Sequence, residues 1–116
     1  MELDLHIHSR YSGDSWMRVD RIIEIARERG LNGIAITDHN RNDAVAEARS
    51  LAGGDLIIVP GMEVRTTWGD ILALFCEKFI ESRDPVEVLK EIHQQGGLAV
   101  WPHPYRKKLR CPRDIL

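Results

Sequence analysis

Four apolar runs of strand length divide the chain, and each leads into a histidine or a glutamate. The side chains at the ends of these runs are His8, His39, Glu63 and His103. Continuous apolar runs, rather than alternating ones, are typical of strands that are buried on both faces of a parallel sheet. Stretches with helical spacing lie between the runs. The pattern therefore predicts an α/β protein built from parallel βα units.

The same pattern gives approximate bounds for the elements. Strands are predicted over residues 2–8, 33–37, 56–60, 70–75 and 98–101, and helices are predicted to begin near residues 19, 44 and 85. Glycines at 30, 53–54 and 96–97 stand where helices should end. Asp84 is predicted as an N-cap, with Pro85 in the first turn and Glu87 at the third helical position. Short connections favour right-handed parallel crossovers throughout.

Two histidines at alternate positions near the N-terminus are the first indication of chemistry. In an extended strand, His6 and His8 project to the same side, where two imidazoles make half of a transition-metal site. Such a pair can also be ordinary solvated surface. His39, Glu63 and His103 follow later strands, and the carboxyl ends of parallel strands meet at one rim. Singly each could be a capping or core residue, but their shared placement favours a metal site.

Four motifs resemble, in order, those of the PHP (polymerase and histidinol phosphatase) superfamily. They are Asp4-Leu5-His6-Ile7-His8-Ser9, Ile36-Thr37-Asp38-His39, Pro60-Gly61-Met62-Glu63 and His103-Pro104. The resemblance extends from residue 2 to about residue 106. The segments 34–40 and 94–97 are most similar to the stand-alone PHP phosphoesterases of prokaryotes. This resemblance implies that the chain forms the first part of a distorted (β/α)7 barrel.

The resemblance also implies a cleft that binds up to three divalent metal ions. The ligands carried over are His6, His8, Asp14, His39, Glu63 and His103. Glu63 would bridge two ions, and Asp70 is a doubtful further ligand where relatives often carry a histidine. The late Asp-x-His motif of the family has no match after residue 103, so we expect residues 1–116 to be the N-terminal portion of a truncated PHP domain. The strand at 98–101 would then have an open edge through which the chain could self-associate.

Three functions are compatible with these residues. Imidazole and carboxylate ligands suit Mn, Zn or Fe, and a bridged pair suits hydrolysis of a phosphate mono- or diester by metal-activated water. Arg106 is predicted to bind the phosphate of a phosphorylated small molecule, a nucleotide or a short oligonucleotide. The alternative is a truncated or degenerate PHP module that binds metal or a partner without turnover. An amidohydrolase acting on C–N bonds is a third possibility that fits the motifs poorly.

The residues beside the ligands have their own expected roles. Ser9 and Ser12 are predicted to hydrogen-bond within their loop, because a nucleophilic serine would need its own base. Asp4 and Asp38 are candidates to orient neighbouring imidazoles. Asp38 could equally cap the helix that follows it.

Composition adds few constraints. The chain has 116 residues, a formal net charge of −2 and two cysteines. This charge gives no general argument for nucleic acid or for an acidic membrane surface. No apolar stretch is long enough to span a bilayer, and the first strand begins at once, so no membrane partner and a cytoplasmic location are predicted. Cys76 and Cys111 are expected to be reduced thiols.

Overall fold

The computed structural model describes residues 1–13 and 15–102. These described residues form six strands, three α-helices and a short 3₁₀ helix at Arg10–Ser12. The strands are β1 (Leu3–Ile7), β2 (Gly33–Ile36), β3 (Ile57–Ile58), β4 (Gly61–Thr66), β5 (Gly69–Leu74) and β6 (Leu98–Val100). The helices are α1 (Val19–Glu28), α2 (Asp43–Ala52) and α3 (Pro85–Gln94). Predicted and observed helices agree closely; four of the five predicted strands are shorter than predicted, and the fifth, β5, has the predicted length but begins one residue earlier.

The N-terminal half has the parallel arrangement that the sequence predicts. β1, β2 and β3 form a parallel sheet in that order, with α1 and α2 as the connections. Apolar residues recur along α1 at Val19, Ile22, Ile23 and Ala26, and this stripe packs with Ile34 and Ile36 of β2 and with the alanines of α2. The spacing is that of an amphipathic helix that buries one face. This half confirms the α/β fold class.

The C-terminal half differs from the prediction. β4, β5 and β6 form an antiparallel sheet, so the expectation of parallel crossovers throughout is wrong here. Thr66 and Gly69 are paired residues in the register, so the β4–β5 connection has room for a hairpin but not for a crossover helix. β6 again runs in the direction of β4, because it is antiparallel to β5. β4 and β6 are thus parallel to each other, with the antiparallel β5 between them.

The helix ends follow local chemistry. Gly30 adopts a left-handed φ of 70° just after α1, where a residue with a Cβ would be strained. At the start of α3, the Asp84 carboxylate accepts a hydrogen bond of 3.1 Å from the backbone N–H of Glu87, and Pro85 occupies the first turn. An N-cap of this kind contributes roughly 1 kcal/mol. Both predictions for these helices are confirmed.

Two further expectations concern the cysteines and the membrane. Cys76 is a free thiol, as predicted; it is buried, and burial raises the pKa of that thiol. Cys111 lies outside the described residues. None of the helices in the described part of the chain is long and apolar enough to cross a membrane.

Candidate metal centre

Two strands, β1 and β4, bring the first donor group together around one buried carboxylate. The Nε2 atoms of His6 and His8 each lie 2.7 Å from Oε1 of Glu63. His6 is on β1, His8 follows directly after it, and Glu63 is on β4. The pairing register of β1 against β2 shifts between Asp4 and Ile7, an irregularity of the kind that re-aims side chains near functional sites. The side chain of Glu63 is fully buried.

His39 approaches the other oxygen of the same carboxylate. Its Nδ1 lies 3.8 Å from Oε2 of Glu63, and its ring meets that of His8 edge-on with centroids 4.4 Å apart. The backbone holds this geometry. Glu63 N–H donates to the carbonyl of Asp38 at 2.9 Å, and Asn40 N–H donates to the carbonyl of Glu63 at 2.9 Å. This parallel bridge between His39 and Glu63 joins the two sheets at the site.

The loops after β1 and β2 are fastened to each other. Asp38, which is buried, accepts hydrogen bonds from the backbone N–H of Ser9 at 2.5 Å and from its hydroxyl at 2.6 Å. Ser12 Oγ accepts from the backbone N–H of His39 at 2.8 Å. Ser9 Oγ also accepts from the backbone N–H of Tyr11 at 3.2 Å, so one bond lies within the loop as predicted, whereas the others join it to the loop after β2. Asp38 joins the two loops, which is neither of the roles considered for it, orienting an imidazole or capping a helix. Asp4 accepts a hydrogen bond from the backbone N–H of His6 at 3.1 Å.

Asp70 belongs to the site, although the sequence left it in doubt. Glu63 pairs with Leu72 across the β4–β5 hairpin, so Asp70, two residues before Leu72, projects to the same face as Glu63. Ligand atoms of His39, Glu63 and Asp70 all lie within 4.8 Å of one another. Asp70 could not be assigned from the sequence because the β4–β5 hairpin was not predicted. Once a tight turn at Thr67-Trp68 is recognised, the register places Asp70 beside Glu63.

The two carboxyl groups perturb each other. Burial raises the pKa of Glu63, but hydrogen bonds from Asp70, His6 and His8 and the charge of His39 outweigh it and bring that pKa down to about 2. Burial, the hydrogen bond to Glu63 and the charge of Glu63 together raise the pKa of Asp70. Asp70 is thus the carboxyl that keeps a proton beside its charged neighbour. A divalent cation would satisfy both carboxylates better than one shared proton.

The donors form two groups that share Glu63. One is His6, His8 and Glu63, and the other is His39, Glu63 and Asp70. Imidazole nitrogens and carboxylate oxygens are the ligands of Zn, Mn and Fe sites, so the donor chemistry fits two divalent ions bridged by one carboxylate. Three other predicted residues, Asp14, His103 and Arg106, lie outside the described residues.

The model of the PHP domain family matches residues 4–109 of the chain. This chain belongs to the PHP domain family. The match includes every metal ligand predicted from the sequence, and it confirms the resemblance on which those predictions depended.

Among relatives of this PHP chain, an uncharacterised protein of Methanocaldococcus jannaschii is 38% identical over 119 residues, which cover 90% of this chain and 68% of that protein. The 5'-3' exoribonuclease Rnm of Escherichia coli is 37% identical over 68 residues, covering 56% of this chain and 23% of the enzyme. Three other curated relatives are matched over 17%, 40% and 23% of their length. This chain therefore spans only part of several relatives.

Solved structures share the fold. A two-domain protein from Bacteroides vulgatus, described as containing a predicted PHP-like metal-dependent phosphoesterase, superposes with a TM-score of 0.79 at 22% identity over 90% of this chain and 35% of that one. An amidohydrolase from Chromobacterium violaceum with bound sulfate superposes with a TM-score of 0.59 at 27% identity, over 81% of this chain and 33% of that one. The first likeness supports the partial PHP barrel.

Proposed function

We propose that the centre at Glu63 holds divalent metal ions and hydrolyses a phosphate mono- or diester. The observation that carries this proposal is the arrangement around Glu63. Imidazoles of His6 and His8 contact one carboxylate oxygen and His39 approaches the other, while Asp70 lies within 4.8 Å of both Glu63 and His39. A carboxylate that faces donor groups on both oxygens is suited to bridge two cations, which is the arrangement that clamps a phosphoryl group during displacement.

Each residue has a distinct part in this proposal. His6 and His8 would hold the first ion, His39 and Asp70 the second, and Glu63 would bridge them. When bound, the ions supply Lewis-acid activation of water and neutralise charge on the phosphoryl oxygens. Burial of Glu63 keeps water away from the bridging group, so its interaction with the cations is weakly screened. Asp38 and Ser9 keep the loops that carry His8 and His39 in register.

Residues outside the described part complete the proposal. Asp14 and His103 are proposed as further ligands and Arg106 as a phosphate contact, on the family motifs alone. They would allow a third ion, and Mn, Zn and Fe all suit the donors. A phosphorylated small molecule, a nucleotide or a short oligonucleotide is the proposed substrate class. The similarity to an exoribonuclease supports including RNA among the compounds tested. We also keep the cytoplasm as the proposed location.

Two other functions have some support. The amidohydrolase from Chromobacterium violaceum shares the fold, so hydrolysis of a C–N bond is a second candidate. A PHP module that binds metal or a partner without turnover is the third, and it is the alternative predicted from the sequence. For such a binding module, the partner could be a second copy of the chain, because β6 lies at the end of its sheet and its Leu98 is half-exposed.

One experiment separates the three candidate functions. Metal content is measured by plasma mass spectrometry on freshly purified protein, and the same sample is assayed with and without added Mn. The substrates are p-nitrophenyl phosphate, bis-p-nitrophenyl phosphate, a 5'-phosphorylated oligoribonucleotide and p-nitroacetanilide. Bound metal with Mn-stimulated cleavage of a phosphate ester supports the proposal. Cleavage of the anilide alone favours the amidohydrolase, and bound metal without any turnover favours the binding module.

A further inference from the structure

A fully buried hydroxyl lies beneath the metal centre. Thr37, two residues before His39, has no solvent-exposed surface. Among the described residues, none forms a hydrogen bond with its Oγ1 atom. Nearly all buried polar atoms in native proteins have a hydrogen-bond partner, because a buried hydroxyl without one gives up the bonds that it makes to water. The position of Thr37 indicates what its partner is.

The pairing of β1 with β2 places Thr37 next to His8. The Thr37 backbone N–H donates to the carbonyl of Ile7 at 2.6 Å. In a parallel pair this bond sets Thr37 opposite the residue after Ile7, which is His8, so the two side chains share a face. Residues two apart along a strand also share a face, as Thr37 and His39 do. The Thr37 side chain is therefore on the face where the rings of His8 and His39 contact each other.

Gly61 lies on the other side of Thr37. The parallel bridge between His39 and Glu63 sets Thr37 opposite Gly61, because each of these is two residues before a member of the bridge. The methyl carbon Cγ2 of Thr37 lies 3.3 Å from the point that a Cβ of Gly61 would occupy. The methyl group therefore fills the space beside Gly61, and Oγ1, which is staggered from it, points elsewhere.

The layer below Thr37 offers no partner to this hydroxyl. Ala35, two residues earlier on the same face, belongs to an apolar cluster with Val59, Leu72 and Leu74. These side chains carry neither donors nor acceptors. A valine at residue 37 would fill nearly the same space, so a threonine differs here in its hydroxyl. A partner for Oγ1 can therefore come only from the side of the metal ligands.

We infer that the Thr37 hydroxyl binds and orients a water molecule held between the two donor groups that share Glu63. The inference rests on the metal-binding part of the proposed function. A hydroxyl both donates and accepts, so it can fix the orientation of such a water. The proposed hydrolysis consumes a water at this centre. Groups that hydrogen-bond to the contents of a metal site in this way typically change its metal affinity by roughly tenfold to a hundredfold.

The test measures stability and zinc affinity in Thr37→Val. Urea unfolding in EDTA should give a midpoint equal to or above that of the wild-type protein, because the variant loses no hydrogen bond to a protein group. Zinc affinity, measured by competition with a chromophoric chelator, should fall by roughly tenfold to a hundredfold. A loss of affinity without a loss of stability separates the orientation of water from a packing role, which would lower both.

Two further variants are the controls. Thr37→Ser keeps the hydroxyl and should keep the wild-type zinc affinity, although it should unfold at a lower urea concentration because the methyl group beside Gly61 is lost. Thr66→Val removes a hydroxyl that has protein partners, since Thr66 Oγ1 donates to the carbonyl of Gly69 at 2.6 Å and accepts from the backbone N–H of Trp68 at 3.1 Å. In EDTA, Thr66→Val should be less stable than the wild type, and this loss is the reference for Thr37→Val.

The inference can fail separately from the proposed function. Unchanged zinc affinity in Thr37→Val would overturn the inference, as would an equal loss of affinity in Thr37→Ser. A loss of stability in EDTA as large as that of Thr66→Val would also overturn it, because the hydroxyl would then have a protein partner. Zinc binding by the wild-type protein without hydrolysis of any phosphate ester would overturn only the proposed hydrolysis. A wild-type protein that binds no zinc would overturn both.

Discussion

The carboxyl groups of Glu63 and Asp70 share one face of the β4–β5 hairpin, and an oxygen of each lies within 4.8 Å of the other. This arrangement places Glu63 in both donor groups and Asp70 in the second. Glu63 is bound by His6 and His8, and Asp70 lies on the side of His39. The hairpin therefore contributes to both donor groups, although only Glu63 could be assigned from its motif.

Replacing the shared carboxylate should abolish metal binding. Glu63→Gln removes the charge between the two donor groups, so bound metal should fall well below the wild-type content and hydrolysis should drop by at least about a hundredfold. Plasma mass spectrometry and a phosphodiesterase assay measure both. Glu87→Gln, an exposed substitution on α3, is the control and should change neither. A Glu63→Gln protein that keeps its metal and its rate would disprove the bridging role.

The second donor group should depend on the ligand at residue 70. Asp70→Asn should lose about one metal ion per chain, because a neutral amide replaces an anionic ligand. Asp70→His should retain metal, since an imidazole at this position supplies a nitrogen ligand. Metal content per chain is again the measurement, with the exposed Asp55→Asn as the control. Full metal content in Asp70→Asn would show that Asp70 is a neighbour of the site and not a ligand.

Removing metal should make stability depend on pH through the carboxyl pair. Because burial and Glu63 raise the pKa of Asp70, the folded protein keeps this proton to higher pH than the unfolded chain. Protonation therefore favours folding, and the stability is lost as pH rises through the raised pKa. In EDTA, the free energy of unfolding of the wild-type protein should fall more steeply with rising pH than that of Asp70→Asn. Parallel pH profiles for the two proteins would contradict this expectation.

The connection between the two loops should matter for stability. Asp38→Asn replaces a buried carboxylate that accepts two hydrogen bonds from Ser9, and Ser9→Ala removes one of those donors. Each change should lower the free energy of unfolding by roughly 1–3 kcal/mol, the cost of leaving a buried polar group without its partner. Urea unfolding provides the measurement. The control is Asp20→Asn at an exposed position of α1, whose free energy of unfolding should remain close to that of the wild type. An equal loss in this control would contradict a specific role for the Asp38–Ser9 contact.

A close approach of backbone should make Gly97 irreplaceable. A Cβ at this position would lie 2.5 Å from Sγ of Cys76 and 2.7 Å from the carbonyl oxygen of Leu74. Gly97→Ala should therefore destabilise the fold by about 2 kcal/mol through overpacking between α3 and β5. Gly54→Ala is the matched control, because a Cβ there meets nothing within 4 Å. Thermal or urea unfolding should show a clear loss only for Gly97→Ala.

The sequence by itself determined the helices, the parallel half of the fold and most of the ligands. Helical spacing, the Asp84 cap and the terminal glycines are local signals, so α1, α2 and α3 were predictable. His6, His8, His39 and Glu63 follow apolar runs and lie within motifs, which made them visible without coordinates. The family and its fold class followed from the same residues.

Only the tertiary structure decided how these residues meet. β4 was missed because its mixture of polar and apolar residues has no clear period, so the hairpin that brings Asp70 to Glu63 stayed hidden. Which oxygen of Glu63 each histidine contacts depends on the β1 irregularity and on the bridge between His39 and Glu63. The role of Asp38 likewise depends on two loops that are distant in sequence. Pairing register and loop contacts are long-range properties, and local sequence patterns do not specify them.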